Sequence, residues 1–129
     1  MTLHLTPFVA FDDIPFSLGV EELVARLGPP RHQSRNAVDL NEYDYGHSVL
    51  RFQDNGRLEE ITRRAPVLQL DSVAIPFKAL ESFVRAQDDD AFERAGFLVS
   101  PALGIAFVPG VPDWVTALAR HCIPSWRAL

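Results

Sequence analysis

The hydrophobic pattern of the first half of this chain recurs in the second half. Five apolar positions have an apolar counterpart 57 residues further along, counted from Phe16 to Val73: Phe16, Leu18, Val20, Leu23 and Leu27. Their counterparts are Val73, Ile75, Phe77, Leu80 and Val84. Two segments with one apolar pattern most simply pack together around a shared, pseudo-symmetric core. We therefore predict a single domain over residues 1–129, made of two half-units at about 14–65 and 71–122.

Each half-unit begins with a predicted helix. Apolar residues recur at helical spacing within Gly19–Leu27, and Gly28-Pro29-Pro30 supplies the expected stop signal. In the second half the corresponding helix is predicted over Pro76–Gln87, followed by a short helical turn at Ala91–Ala95. The segment Pro66–Asp71 is interpreted as the link between the two half-units.

Strand patterns follow each predicted helix. In the first half the predicted strands are Val38–Tyr45, Ser48–Gln53 and Leu58–Arg64, after a polar loop at His32–Asn36. In the second half they are Gly96–Val99, Gly104–Val108 and Trp114–Arg120. Asp113–Cys122 also fits a helix, and Leu3–Phe11 is predicted as an edge strand because it contains Pro7. The fold class is thus α+β: two tandem helix-plus-β-meander half-units forming one antiparallel sheet, with the helices packed on one face.

Composition and charge exclude several function classes. The net charge is −5 and Lys78 is the only lysine, so a basic surface for nucleic acid is not expected. No apolar run approaches the ~20 residues that span a bilayer, and Met1–Pro7 lacks the features of a secretory signal. The single cysteine, Cys122, fits a reducing compartment, so we predict a cytoplasmic protein. The acidic charge suits a basic partner, although it also simply favours solubility.

An acidic and aromatic patch on one predicted strand is the strongest candidate binding surface. It comprises Asp39, Glu42, Tyr43, Asp44 and Tyr45. If Val38 and Leu40 point inward, strand alternation turns Asp39, Asn41, Tyr43 and Tyr45 outward. Tyrosine is enriched at interface hot spots, which favours a partner-binding site here. The alternative is a partly solvated sheet face whose tyrosines cover neighbouring strands.

No pattern predicts a catalytic site, a metal site or a cofactor. The histidines His4, His32, His47 and His121 lack the spacing of metal ligands. The run Asp88-Asp89-Asp90 lacks the alternation and glycine of a calcium loop, and indicates a solvated charge run at a helix end. His121 and Cys122 would face opposite sides of a strand, so Cys122 is predicted to be a buried, inert thiol.

Several short phrases carry a resemblance to known repeats. They are Phe16-Ser17-Leu18-Gly19, Val20-Glu21-Glu22-Leu23, Leu27-Gly28-Pro29-Pro30, then Tyr45, Leu50, Phe52 and Asn55-Gly56. Over residues 14–64 the chain resembles the tandem repeats of β-lactamase-inhibitor-protein-like and SmpA-like proteins. It is also similar to small uncharacterised bacterial proteins, some of them immunity partners of polymorphic toxins. The second half matches less well because no Gly-Pro stop follows Val84, and the chain lacks the lipid-attachment signal of the lipoprotein group.

Three functional hypotheses follow. The first is a non-enzymatic, bacterial protein-binding module, such as an immunity or inhibitor protein that occludes a basic toxin. The second is a small-molecule-binding protein or an enzyme with a pocket between helices and sheet, using His47 or His121. A cleft with at least two convergent polar side chains would favour this second hypothesis. The third is a homodimer joined through a sheet edge or through Trp126.

Overall fold

A computed structural model describes residues 1–129, which form thirteen strands and three α-helices. The strands of the first half are β1 (Thr2–Thr6), β2 (Ala10–Phe11), β3 (Ile14–Pro15), β4 (His32–Arg35), β5 (Asn41–Asp44), β6 (Ser48–Phe52) and β7 (Leu58–Arg64). Those of the second half are β8 (Val67–Leu70), β9 (Val73–Pro76), β10 (Phe92–Arg94), β11 (Phe97–Ser100), β12 (Ile105–Phe107) and β13 (Trp114–Leu118). The helices are α1 (Val20–Leu27), α2 (Phe77–Gln87) and α3 (Ile123–Arg127).

The main sheet has eight antiparallel strands in the order β10-β11-β12-β13-β7-β6-β5-β4. Helix α1 precedes the run β4–β7, and helix α2 precedes the run β10–β13. The two runs meet where β7 pairs with β13 and Thr62 lies opposite Thr116. The α+β class is therefore confirmed.

A second sheet of five strands has the order β3-β2-β1-β8-β9, so the prediction of a single antiparallel sheet is wrong. Strand β1 pairs antiparallel with β2 and parallel with β8, where Leu3 lies opposite Leu68. The prediction of one edge strand over Leu3–Phe11 is therefore wrong. Pro7 lies in the turn between β1 and β2, outside the hydrogen-bonded ladder, so it does not prevent β1 from being central. The expected link Pro66–Asp71 contains strand β8.

The main sheet has an inner face and an outer face. The larger core lies on the inner face, where Leu23 of α1 and Leu80 of α2 pack in one cluster with strand residues such as Leu50. The smaller core lies on the outer face of β11–β13 and includes Val99, Ala106 and Leu118. Neighbouring positions on these strands, such as Leu98, belong to the larger core, as strand alternation requires.

The prediction that the helices pack on one face of the sheet is wrong, because helix α3 packs on the outer face. Its residues Ile123 and Trp126 contact the smaller core on the outer face. Strands β11–β13 are apolar on both sides, so both of their faces need cover from water. None of the three helices is both long and apolar enough to cross a lipid bilayer.

Other differences concern short elements. Residues 91–95 contain strand β10 rather than a helical turn, and residues 32–36 contain strand β4 rather than a loop. Both are edge strands of the main sheet. Their extended conformation depends more on hydrogen bonds to the neighbouring strand than on the β-propensity of their own side chains. The ambiguous segment Asp113–Cys122 divides into β13 and a 3₁₀ turn at Arg120–Cys122.

Candidate functional site

A cleft of about 340 Å³ lies on the outer face, between the main sheet and helix α3. Its apolar lining comprises Val38, Leu40, Cys122, Trp126 and Leu129. Its polar lining comprises Asn36, Gln53, Arg57, Glu59, Glu60, His121 and Ser125. Ligand sites in proteins have this character: a concave, partly apolar surface with a few polar groups that fix orientation. The cleft is therefore the candidate functional site.

A β-bulge places two adjacent carboxylates in this cleft. Arg51 on β6 lies opposite Glu60 on β7, yet the next residue, Phe52, lies opposite Leu58, so Glu59 is an extra residue in β7. Leu58 and Ile61 both belong to the larger, inner core. Without the bulge, alternation would turn one of the two intervening glutamates inward. With it, both glutamates line the cleft on the outer face.

Glu59 is a buried carboxylate whose side chain contacts three other side chains, those of Arg57, His121 and Cys122. Its side chain is 1% exposed, and its Oε1 accepts a hydrogen bond from Arg57 Nη2 at 3.1 Å. Its Oε2 contacts His121 Nε2 and accepts a hydrogen bond from Cys122 Sγ at 3.4 Å. The backbone carbonyl of Glu59 accepts the Ala119 N–H at 2.9 Å, which fixes the start of the 3₁₀ turn against β7.

Glu60 anchors helix α3 to the sheet. Its Oε2 accepts a hydrogen bond from the Trp126 indole Nε1–H at 3.2 Å, and its Oε1 lies 3.3 Å from Arg51 Nη1. Burial raises the pKa of the Glu60 carboxyl, and the Arg51 guanidinium and the Trp126 N–H offset this only in part. Glu59 and Glu60 are thus buried or largely buried carboxylates, each with more than one partner.

The prediction that His121 and Cys122 face opposite sides of a strand is wrong, because both residues lie in the 3₁₀ turn. Because these residues do not lie on a strand, both side chains reach Glu59. Burial raises the pKa of the Cys122 thiol, and the neighbouring carboxylates Glu59 and Glu60 raise it further. The thiol donates to Glu59 and is not activated by a base, so the cluster does not form a nucleophilic cysteine-histidine pair.

The predicted acidic and aromatic patch divides between two faces of the sheet. Tyr45 is 7% exposed within the larger core and donates its hydroxyl to the Gly28 carbonyl at 2.9 Å. Tyr43 packs edge-on against Phe52, with ring centroids 5.5 Å apart. The expectation that both tyrosines point outward is therefore wrong.

The reason is that Leu40 is buried on the outer face of the main sheet and not on the inner face. It lines the cleft and does not belong to the larger core, so the alternation along β5 is opposite to the one assumed. Glu42 and Asp44 keep half-exposed positions on β5, and Glu42 forms an ion pair with Arg51 at 2.6 Å. Asp39 is exposed and lies 3.6 Å from Arg35. The carboxylates of the predicted patch therefore lie at the surface, whereas its two tyrosines pack on the inner face.

The remaining histidines lie away from the cleft. His47 is exposed and contacts Ser48 at 2.9 Å, beside a smaller cavity of about 90 Å³ that Asp13 and Arg63 also line. His4 and His32 are exposed on β1 and β4. Of the two histidines considered for a pocket, His121 alone joins the candidate site.

Comparison of the chain with protein-family models, curated proteins and solved structures found no match. The cleft is therefore the feature of this chain that indicates a function.

Proposed function

We propose that this protein binds a small molecule that has an apolar body and a positively charged group, and that the cleft on the outer face is its binding site. The observation that carries this proposal is the cleft itself, which joins an apolar wall to two convergent carboxylates, Glu59 and Glu60. A volume of about 340 Å³ falls at the lower end of the range of ligand pockets. The site therefore suits a small ligand, such as an aromatic amine.

The apolar wall supplies the binding energy for the body of the ligand. The Trp126 indole, half-buried against Phe97 with ring centroids 5.2 Å apart, offers a firmly held aromatic edge to the cleft. Val38 and Leu129 are largely exposed beside it, so a bound ligand would remove their apolar surface from water. An apolar ring beside Trp126 is thus favoured over a purely polar ligand.

The carboxylates select the charge of the ligand. Arg57, which pairs with the buried Glu59, has a side chain that is 53% exposed, so it can turn into solvent and leave Glu59 to a ligand cation. Arg51 contacts Glu60 from the outer face of β6 and also pairs with Glu42, so it is shared between two carboxylates. An ammonium group at the polar end completes the neutralisation, whereas a carboxylate there meets like charges.

Benzylamine and benzoate form a matched pair of probes for this proposal. We expect millimolar benzylamine to shift the NMR resonance of the Trp126 indole N–H, because the ammonium and the ring enter the cleft beside the bond from Trp126 to Glu60. Trp114, at the start of β13 beneath the Arg64 guanidinium, is the internal control and should not respond. An equal response to benzoate, or no response to benzylamine, would contradict the proposal.

Glu60→Gln tests the role of charge in the same assay. Loss of one partly buried carboxylate should weaken benzylamine binding about tenfold, which corresponds to about 1.4 kcal/mol. Glu81→Gln is the matched control, since Glu81 lies on α2 and pairs with Arg85 at 3.1 Å, away from the cleft. Unchanged affinity in Glu60→Gln would exclude Glu60 as the anion that selects the ligand.

A protein-binding role remains a second candidate. Exposed Asp39, half-exposed Asp44 and the edge strand β4 support a surface for a basic partner, such as the toxin of an immunity pair, and an edge strand also suits a homodimer. Its test is affinity for a basic protein encoded beside this chain, with Asp39→Asn and Asp44→Asn combined; unchanged affinity would exclude these carboxylates. A cytoplasmic location stays a prediction.

We also interpret the runs α1 with β4–β7 and α2 with β10–β13 as tandem half-units. The order of the main sheet supports this, since the runs extend in opposite directions from the β7–β13 pair.

A further inference from the structure

We propose that Glu59, His121 and Cys122 bind a divalent transition-metal ion of the zinc type at the inner end of the cleft. The carboxylate, imidazole and thiol ligand atoms all lie within 4.8 Å of one another. This inference goes beyond the proposed function because the ion needs no organic ligand.

The distance between Glu59 and Cys122 fits one tetrahedral ion. Zinc bonds of roughly 2.0–2.3 Å to oxygen, nitrogen and sulfur place ligand atoms about 3.5 Å apart in a tetrahedron. The Glu59 Oε2 lies 3.4 Å from Cys122 Sγ, and the same oxygen contacts His121 Nε2. The oxygen is thus next to both other ligand atoms, and the partly exposed His121 imidazole has to draw back from it for an ion to enter.

The ligand types determine the class of ion. One sulfur and one imidazole nitrogen favour zinc, cobalt and similar ions over Mg²⁺ and Ca²⁺, which prefer oxygen ligands. Thiolate and carboxylate together balance the charge of a divalent ion. On binding, the Cys122 thiol proton and any proton on His121 Nε2 pass to the solvent, so the ion replaces the hydrogen bonds that now connect the cluster.

Three protein ligands leave a fourth position open. The His121 side chain is 39% exposed and lines the cleft, so water or a ligand atom can reach the ion from that side. Arg57 contacts the other oxygen of the buried Glu59 carboxylate, Oε1, so Oε2 is the oxygen that faces His121 and Cys122. The cluster thus has the form of an open three-ligand site.

Co²⁺ titration of the full, untagged chain under reducing, oxygen-free conditions tests the site. We expect one Co²⁺ per chain, with visible ligand-field bands of a tetrahedral ion and a near-ultraviolet band from thiolate-to-cobalt charge transfer. Zn²⁺ should displace Co²⁺ and abolish both bands. Absence of the charge-transfer band in the folded wild-type chain would overturn the proposal, because Cys122 is the only thiol.

Two variants identify the ligands. Cys122→Ser should remove the charge-transfer band and weaken Co²⁺ binding by roughly 100-fold, and His121→Asn should weaken it comparably. His32→Asn on edge strand β4 is the control and should bind as the wild type does. Circular dichroism checks that each variant is folded; if Cys122→Ser is not, His121→Asn decides, since His121 is partly exposed. Unchanged affinity in folded His121→Asn would contradict the site.

The outcome is separable from the proposed function. Trp126→Phe alters the cleft wall without touching the three ligands, so it should change benzylamine binding and leave the cobalt bands unchanged. Benzylamine binding without cobalt bands would support the organic ligand and reject the metal site. Cobalt bands without benzylamine binding would support the metal site and reject the organic ligand.

Discussion

Replacing Tyr45 with alanine is expected to lower the free energy of unfolding by about 3–5 kcal/mol, the range for removing a buried aromatic side chain. Tyr45 is 7% exposed in the larger core, where its ring packs in the same cluster as Leu23 and Leu50. The substitution also leaves the Gly28 carbonyl without the hydroxyl donor at 2.9 Å. Urea denaturation with a constant m-value measures the loss.

Tyr45→Phe is the matched control. It keeps the ring and removes only the hydrogen bond to Gly28, so it should cost about 1 kcal/mol. A small effect of Tyr45→Ala, within about 0.5 kcal/mol, would be typical of a surface residue and would restore the interpretation of Tyr45 as an outward-facing partner anchor. Any binding assay on Tyr45→Ala therefore requires correction for the unfolded fraction.

The elements that the sequence predicted well are those with a strong local pattern. Helix α1 has apolar residues at helical spacing and ends at Leu27, directly before Gly28, which adopts a φ of 78°. Strand β6 alternates buried and half-buried residues throughout, and its range Ser48–Phe52 is almost the predicted one. In such segments the local pattern and the tertiary structure favour the same conformation.

The elements that were missed depend on distant partners. Strand β4 is largely exposed and has no apolar alternation, so only its pairing with β5 defines it. Helix α3 has five residues and no buried position of its own, and the contact of Trp126 with the sheet holds it in place. Tyr45 was placed on the wrong face of the sheet because a shift of one position in the assumed alternation exchanges the two faces of a strand.

The candidate site was missed because it brings together residues far apart in the chain. A separation of 63 residues lies between Glu59 and Cys122, and no spacing rule covers it. One local signal was present: Leu58 and Ile61 enclose two glutamates, a spacing that breaks strict alternation and is typical of a bulge. The 3₁₀ turn that aims His121 at Glu59 has no comparable signal.

Replacing Asp88 with alanine is expected to lower the free energy of unfolding by about 3 kcal/mol. Asp88 is 5% exposed at the end of α2, so this part of the aspartate run is not solvated as expected. Its Oδ2 accepts the Ser100 hydroxyl at 2.7 Å and the Ala102 N–H at 3.0 Å, and its Oδ1 accepts the Asp90 N–H at 2.9 Å. The substitution leaves the buried Ser100 hydroxyl and the part-buried N–H groups of Ala102 and Asp90 without this acceptor. Thermal or urea unfolding measures the effect.

Asp89→Ala is the control for Asp88→Ala. Asp89 is the next residue in the same run and is exposed, so its loss should change stability by less than about 0.5 kcal/mol. Equal effects of the two substitutions would show that Asp88 acts only through the charge of the run and not through its three hydrogen bonds.

The stabilisation by Asp88 should depend on pH. Burial alone would raise the pKa of the Asp88 carboxyl, but the donors Ser100, Ala102 and Asp90 outweigh it and lower the pKa below its ordinary value. The ionised form is thus favoured in the folded state, so the charge contributes fully above the unfolded pKa of about 3.9 and is lost as pH falls through the lower, folded pKa. The stability difference between wild type and Asp88→Asn should therefore be constant near neutral pH and shrink in acid. A difference that grows as the pH falls below about 3.9 would mean that the protonated form is the one these donors stabilise.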